Sequence, residues 1–522
     1  MSPPELATKQ SAGTLPLLSK PARFAHRLTI LLLLGAGTAL RFVCLTSKPF
    51  WFDECFSAEA ARIGWPSFLH LLWWREANMS LYYLLLRIWL RFGQSEFFIR
   101  SLSVLIAAAT IPAVYWLAEL LYDRRAAVIA AALLTFNAYS VRYAQEARSY
   151  ALFLLLATLS SGFFIAHIRQ PGRRNRLGYI LISILATYAH LYALLLVAAH
   201  WLALRGLGRA PESADQSSAP ADLRRAWRTI GLAALPLLIF LAKTGAGPIR
   251  WIPRPGIHDL LRFFENLAGS ASWPLPAIYA VCCLAAVAPL GSRLWARNQR
   301  WQIWRVQFLL VWLLFPVLLT VLLSFARPVF LARYMIFCLP ALLILVAAGL
   351  ARLGKAWMLA AVLAGILLCC SQGILFVYGH DFDHERDASG SATYYILDHS
   401  EAGDGIIFHI AETRVPYEFF RLVRAGENTA SPDFTSPLGP EILFPRHGAG
   451  LDYRDFTGKP AEDFLRSVAP THARLWVMLM YNETPAAVPD PTTAMMNRAL
   501  PEFFPKVQRW QFARVEVRLY SR

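Results

Sequence analysis

Phe50-Trp-Phe-Asp-Glu-Cys-Phe-Ser-Ala-Glu59 is the stretch on which the reading of this chain turns. Asp53 and Glu54 stand side by side just after the first long apolar run. A bare buried charge is costly, so adjacent carboxylates at a membrane border need water, a cation or a substrate proton. The pair marks either a catalytic centre on the outer face of a multi-spanning membrane enzyme or a solvated, helix-capping pair in an outer loop. The surrounding chain has to decide between them.

The 522 residues are 56% hydrophobic and only 16% charged, where soluble proteins carry about 25% charged residues. Repeated apolar runs make this a polytopic membrane protein. The 17 Trp, 19 Tyr and 33 Phe suit interfacial belts. A net charge of +17 raises the question of nucleic acid. The arginines, however, cluster between apolar runs, where membrane orientation requires them, and no nucleic-acid partner is implied. The Cys residues show no CxxC or Cys/His spacing for structural zinc, and none lies beyond residue 378 to build a disulfide framework.

Working outward, the first span covers roughly residues 28–46 behind a basic flank, so Asp53 emerges outside. It has no small-residue cleavage site after it and reads as a retained span rather than a signal peptide. The Trp-rich loop after Asp53 suits interfacial helices. Ser80 to Phe92 is short for a crossing and reads as interfacial or re-entrant. Further spans fall at 99–121, 126–141, 151–168, a tight hairpin within 178–204 that puts His190 near the outer surface, 229–243, 275–291, 306–324, 335–350 and 357–377. Basic loops alternate with these spans, giving about eleven crossings with the N-terminus inside and the C-terminus outside. The expected organisation is a cytoplasmic tail at 1–27, a transmembrane domain at 28–378 and an extracytoplasmic α/β domain at 379–522. In that last domain Gly405 to Ile410, Arg474 to Met480 and Gln511 to Tyr520 read as strands, and Thr413 to Val423 as a helix.

This topology gathers Asp53, Glu54, Glu76, Asn78, Arg87, Gln145, Glu146, Arg148, His190, Lys243, Arg327 and Arg333 on one side. Carboxylates with arginines suit an enzyme handling a lipid-linked phosphate: a carboxylate deprotonates a hydroxyl, and arginine binds phosphate through paired hydrogen bonds. Each member has a plainer reading. Glu146 and Arg148 cap a helix, His190 is a satisfied buried histidine, and Arg327 and Arg333 are snorkelling anchors. No P-loop or GxGxxG motif indicates a cytoplasmic nucleotide site.

Five segments together carry a resemblance. They are Trp51-Phe-Asp-Glu54; Glu76-Ala-Asn-Met-Ser-Leu-Tyr-Tyr-Leu-Leu-Leu-Arg87, which includes Tyr82; Phe92-Gly-Gln-Ser-Glu through Arg100-Ser-Leu-Ser103; Tyr143-Ala-Gln-Glu-Ala-Arg-Ser-Tyr150; and Pro328-Val-Phe-Leu-Ala-Arg-Tyr334. In this order the chain resembles polytopic glycosyltransferases of the GT-C type, in the bacterial group related to protein O-mannosyltransferases and aminoarabinose transferases. The resemblance spans about residues 28–380 of the GT-C-like helical domain. It implies inverting sugar transfer from a polyprenyl-phosphate donor to an acceptor outside the cytoplasm, in a bacterial cell membrane. Asp53 would be the general base, and Glu54 and Glu146 would orient donor or acceptor. Arg148 and Arg333, with Arg327, would hold the phosphate. Glu76, Asn78, Tyr82, His190 and Tyr334 would line the substrate site. Met79-Ser80 replaces the Pro-Pro of many relatives, and Ala77-Asn78 stands where aminoarabinose transferases carry lysine, so either arginine takes the phosphate or the phosphate sits elsewhere. A divalent metal beside the carboxylates is left open, since no ligand spacing demands one. The acceptor, whether protein, lipid or glycan, is not specified, and membrane lipids are partners by default. Two other classes compete: a lipid or solute transporter or flippase, and an assembly protein acting through its C-terminal domain.

Overall fold

The computed structural model describes residues 20–205, 219–245, 252–269, 272–288, 300–379, 386–426, 438–445, 458–480 and 488–522. Most of the expected tail (1–19) and of the basic loop after residue 205 (206–218) lies outside the described residues.

The chain is largely α-helical and polytopic. Its first half comprises α1 (Lys20–Phe42), α2 (Phe52–Arg62), α3 (Trp65–Trp74), α4 (Ser80–Trp89), α5 (Glu96–Leu121), α6 (Arg124–Phe136), α7 (Ala138–Ala144), α8 (Tyr150–Arg169), α9 (Arg173–Ala189) and α10 (Ala193–Arg205). Then follow α11 (Ala219–Thr244), α12 (Ile257–Ala268), α13 (Pro274–Val287), α14 (Arg300–Ser324), a 3-10 turn at Ala332–Cys338, α15 (Leu339–Leu350) and α16 (Ala356–Tyr378). Among the described residues, six helical stretches are long and apolar enough to cross a membrane, or seven if the bent pair α6–α7 is one span. The other apolar segments expected to cross are helical too: α1, α9, α10 and α13. Of these, α10 and α13 are shorter apolar helices.

Local chemistry sets the helix ends that matter for the site. The Ser95 hydroxyl caps α5 at Phe98 N (3.2 Å), and the Asp123 carboxylate caps α6 at Ala126 N (2.9 Å). The span expected at 126–141 is broken at Asn137, where α6 and α7 meet at 57°. Asn137 leaves the helical region, and its side chain caps α7 at Ser140 N (2.8 Å). The break strands the last carbonyls of α6. Fully buried Arg41 satisfies them, donating to Leu134 O (3.1 Å) and Thr135 O (3.2 Å). The hairpin expected near His190 is present, with His190-Leu-Tyr192 turning the chain between α9 and α10.

Beyond α16 lie α17 (Ser389–His399), α18 (Arg414–Ala425), α19 (Glu462–Val468) and α20 (Pro491–Ala499), with strands β1 (Gly405–His409), β2 (Glu441–Phe444), β3 (Arg474–Met480), β4 (Lys506–Phe512) and β5 (Val515–Ser521). The sheet order is β2-β1-β3-β5-β4; β1 is parallel to β2 and β3, and β5 is antiparallel to β3 and β4. The strand expected at Gln511 to Tyr520 is in fact a hairpin. Arg514 takes a positive φ of 57° and turns β4 back into β5. One sheet face buries Ala392 and Ile396 of α17 and Tyr417 of α18; the other buries Leu465 of α19 and Met496 of α20. The domain rests on α2 through α18. Phe419 stacks on Phe50 with ring centres 4.9 Å apart, and Arg62 lies over the Phe419 ring.

Candidate active site

The first turn of α2 presents its two acids to different surroundings. The Glu54 carboxylate is fully enclosed. Arg100 grips it with two bonds, Nε to Oε1 (2.8 Å) and Nη2 to Oε2 (2.6 Å), and Ala147 N donates to Oε1 (2.9 Å). Burial opposes its charge, but Arg100, Arg386 and the Ala147 amide hold the carboxyl below its ordinary range. Arg100 also donates to the carbonyls of Leu45, Lys48 and Pro49, so this ion pair staples the first outer loop to α5. Glu54 therefore spends its oxygens on the frame.

Asp53 points the other way and keeps part of its surface open, with a side-chain exposure of 18%. Its Oδ2 lies 3.7 Å from Arg148 Nε and 4.0 Å from Arg333 Nη2. These two arginines come from segments far apart in sequence. Arg148 is set by the turn after α7, where Gln145 donates to Val43 O (2.6 Å) and Ala147 is tied to Glu54. Arg333 is set by the turn after α14. Tyr139 there donates to Ala332 O (2.8 Å), and Tyr192 of the hairpin donates to Val329 O. Burial disfavours the charge on the Arg148 guanidinium, but Asp53 and the neighbouring tyrosines push it well above its ordinary value; Arg333, as an arginine, keeps its charge as well. They stay cationic, as an anion site requires.

Glu76 borders the same cluster and is partly buried. Burial raises its carboxyl to about 7 and Asp53 adds to this, against the pull of Arg148 and a hydrogen bond with Tyr83. Tyr83 in turn lies 3.4 Å from Arg148 Nη1. His190 is buried and stacked flat on Phe153, with Tyr334 beside it. Its Nδ1 accepts from Tyr192 N (3.2 Å), and burial, then Arg148 and Arg333, lower its pKa to about 3. It is a neutral lock on the hairpin. Tyr334 packs against Tyr150, His190 and Tyr192 at the edge of the cluster.

The structure thus brings Asp53, Glu76, Arg148, Arg333, His190 and Tyr334 together. Glu146 is adjacent but buried, its Oε1 lying 3.8 Å from Arg142 and 3.4 Å from Arg386. Asn78 accepts from Leu191 N (3.0 Å), fastening the loop before α4 to the hairpin. Tyr82 is wholly buried and bonded to Ser103 (2.9 Å). Arg327 is exposed at the end of α14 and forms no ion pair with the cluster. Among the wider set, Arg87 donates to Ala61 O and Ile63 O and packs over Trp65. Lys243 lies 4.8 Å from the ring centres of Trp73 and Trp74. Both cations lie over tryptophans of α3. Among the described residues no group of three or more His, Cys, Asp or Glu is arranged to hold a metal ion.

Sequence reasoning missed three contributors. Arg100 was visible in the third motif, but its partner lies 46 positions away and nothing local announces it. Arg386, from the start of the C-terminal domain, contacts both Glu54 and Glu146. Trp51 lies between Arg333 and Arg386, with its ring centre about 6 Å from each guanidinium carbon.

No protein-family model matches the chain, and no curated protein matches it by sequence. Solved structures do match its fold. It is similar to ArnT from Cupriavidus metallidurans in the apo state, at 12% identity over 96% of this chain and 98% of that one, with a TM-score of 0.58. It is similar to the same protein bound to undecaprenyl phosphate, at 12% identity over 94% and 97%, with a TM-score of 0.56. It is also similar to the oligosaccharyltransferase AglB from Archaeoglobus fulgidus in complex with an inhibitory peptide and a dolichol-phosphate, at 10% identity over 88% and 70%, with a TM-score of 0.52. At these identities the likeness is one of fold: a GT-C-like polytopic membrane architecture with an appended sheet domain.

Proposed function

We propose that this protein transfers a sugar from a polyprenyl-phosphate-linked donor to an acceptor hydroxyl at the outer face of a bacterial cell membrane, with inversion. About eleven crossings would place α2 and the C-terminal domain outside. The observation that carries this reading is the setting of Asp53: a partly open carboxylate whose Oδ2 faces two permanently cationic arginines, Arg148, which is buried, and Arg333, which is half-buried. Solved proteins of the same fold hold undecaprenyl phosphate or dolichol-phosphate, which supports the choice of donor.

In this reading Arg148 and Arg333 bind the donor phosphate. Asp53 accepts the proton of the acceptor hydroxyl as its oxygen attacks the anomeric carbon. The bond from that carbon to the phosphate oxygen breaks, and the lipid phosphate leaves as an anion. The guanidiniums are already in place to stabilise the charge that develops on it. Glu76, near half-protonated at neutral pH, both gives and accepts hydrogen bonds toward the sugar. Tyr334 and Trp51 form apolar walls. Glu54 and Glu146 act as frame rather than as sugar ligands, because their oxygens face arginines inside the protein. Asn78, Tyr82 and His190 hold the backbone of the site, and exposed Arg327 is not part of it.

The test supplies undecaprenyl-phosphate hexoses to the purified protein and follows release of undecaprenyl phosphate. Asp53→Asn should cut turnover by about 100-fold or more, the range expected of a positioned base, while the protein stays folded. A folded Asp53→Asn protein with undiminished turnover would remove the base role.

A further inference from the structure

Helix α2 cannot cap itself. The residue before it is Trp51, which has no side-chain oxygen to offer the orphan amides of the first turn. The cap comes from the C-terminal domain instead. Phe52 N donates to Asp387 Oδ2 (2.9 Å), across 335 positions of sequence. Asp387 is fully buried, and its other oxygen accepts from Ser389 N (3.2 Å) and from the Ser389 hydroxyl. Its charge sits where the positive end of the α2 dipole is strongest. The neighbouring Arg386 reaches past the same turn. Its Nη1 lies 3.4 Å from Glu54 Oε2 and donates to Pro49 O (3.1 Å), and its Nη2 lies 3.4 Å from Glu146 Oε1. The pair is itself anchored: Ala388 N donates to Ala513 O (3.0 Å) in the β4–β5 turn, and α17 begins at the next residue.

We propose that Arg386 and Asp387 are positioning residues for the acidic turn, so that the C-terminal domain is a structural part of the reaction centre. Two consecutive side chains on a sheet-anchored segment fix both the amide end of α2 and the enclosed acid beside Asp53. They also fix the turn that carries Arg148, through Glu146. The direction of Asp53 is then set from the domain above it. The catalytic part of this claim rests on the transfer reaction proposed above; the structural part does not.

The experiment uses the full-length chain in nanodiscs and takes three readings: turnover with an undecaprenyl-phosphate hexose, binding of undecaprenyl phosphate alone, and amide hydrogen exchange in the 51–62 peptide. For Arg386→Ala we expect turnover to fall at least about tenfold while undecaprenyl phosphate binding stays within about twofold. Exchange at 51–62 should rise severalfold, while α18 keeps its protection through the Phe50–Phe419 contact. Arg386→Lys should recover only part of the turnover, since one ammonium cannot span both carboxylates. Asp387→Ala should speed exchange at the start of α2, and Asp387→Asn, which keeps an acceptor oxygen, should do so far less. Unchanged exchange and turnover in Arg386→Ala would overturn the proposal. So would a loss of turnover with no change at 51–62, or with deprotection spread through α17 and α18, since either places the effect elsewhere. If Arg386→Ala does not fold, Arg386→Lys and the two Asp387 variants decide the matter by the same readings. If the wild-type chain transfers no hexose, the proposed function fails, and the exchange comparison still judges the positioning role.

Discussion

The two acids of the opening turn differ by one position and by almost everything else. Glu54 is locked against Arg100 and enclosed; Asp53 is partly open between Arg148 and Arg333. A buried, doubly bonded ion pair adds little net stability but is costly to break, so Glu54 specifies geometry. Glu76 makes a prediction at this scale. A carboxyl raised from 4.5 to about 7 keeps its proton in the folded state where the unfolded chain has lost it. Its stabilising contribution is therefore complete below the unfolded value of 4.5 and disappears as pH rises through about 7. Between those limits wild type should lose stability relative to Glu76→Gln, by up to about 1.4 kcal/mol per pH unit and less where solvent screens the group. Thermal unfolding of both proteins at pH 5.5 and pH 8 measures the difference; parallel behaviour at the two pH values would refute the assignment. Residue type and topological side were enough to nominate Asp53, Arg148 and Arg333 from the sequence. They could not say which way a side chain points. Tyr82 and Asn78, expected at the substrate site, are bonded to Ser103 and to the Leu191 amide, partners the sequence did not announce.

The elements read well wherever hydropathy alone defines them. The apolar runs became helices, and the polar interruption at His190 became a turn, because lipid-spanning segments must satisfy their backbone internally. The break at Asn137 was not legible, since its cause is tertiary. Arg41 of α1 takes the freed α6 carbonyls, and the Asn137 amide donates to Leu267 O (3.1 Å) and Ala268 O (3.0 Å) at the end of α12. Gly269 closes this junction with φ at 81°, and a Cβ there would lie 2.6 Å from Asn137 Nδ2 and 2.8 Å from Ala138 N. Gly269→Ala should therefore destabilise the purified protein by about 1 kcal/mol or more, from backbone strain and overpacking together. Gly35→Ala provides the contrast. It lies inside α1 with nothing within 4 Å of the added carbon. The change should be neutral or stabilise by up to about 1 kcal/mol. Thermal melts of the two variants in one detergent check both directions, and equal shifts would show that the junction tolerates the extra carbon. The β4–β5 hairpin teaches the same lesson in miniature. Alternation revealed the buried face of β5 at Val515, Val517 and Leu519, but the positive φ that ends β4 sits on Arg514, a residue type that does not signal a turn.

Across the whole molecule, a shift in composition suggested a helical domain followed by a sheet domain, and the structure has a C-terminal β-sheet after its helices. Composition could not show that the boundary is chemically occupied. Arg386 and Asp387 fall just inside the domain expected at 379–522, yet they bond to Pro49 of the first outer loop and to the first residue of α2. The bond from Phe52 to Asp387 has a further meaning for biogenesis. Synthesis runs from the N-terminus, so the acidic turn leaves the ribosome long before its distant acceptor exists, and long-range closure of this kind is slow. The nascent protein would pass through membrane insertion with this corner unfinished and complete it only once the sheet domain has folded. Cys55, buried in α2, reports the moment of completion. In a background whose other six cysteines are replaced by serine or alanine, pulse-labelled chains arrested before residue 386 should react at Cys55 with maleimide, and full-length chains should not. Protection in the arrested chains would mean that the corner matures unaided. If it does not, the molecule carries its own delay: under the transfer reaction proposed above, no copy with an unfolded sheet domain would consume donor.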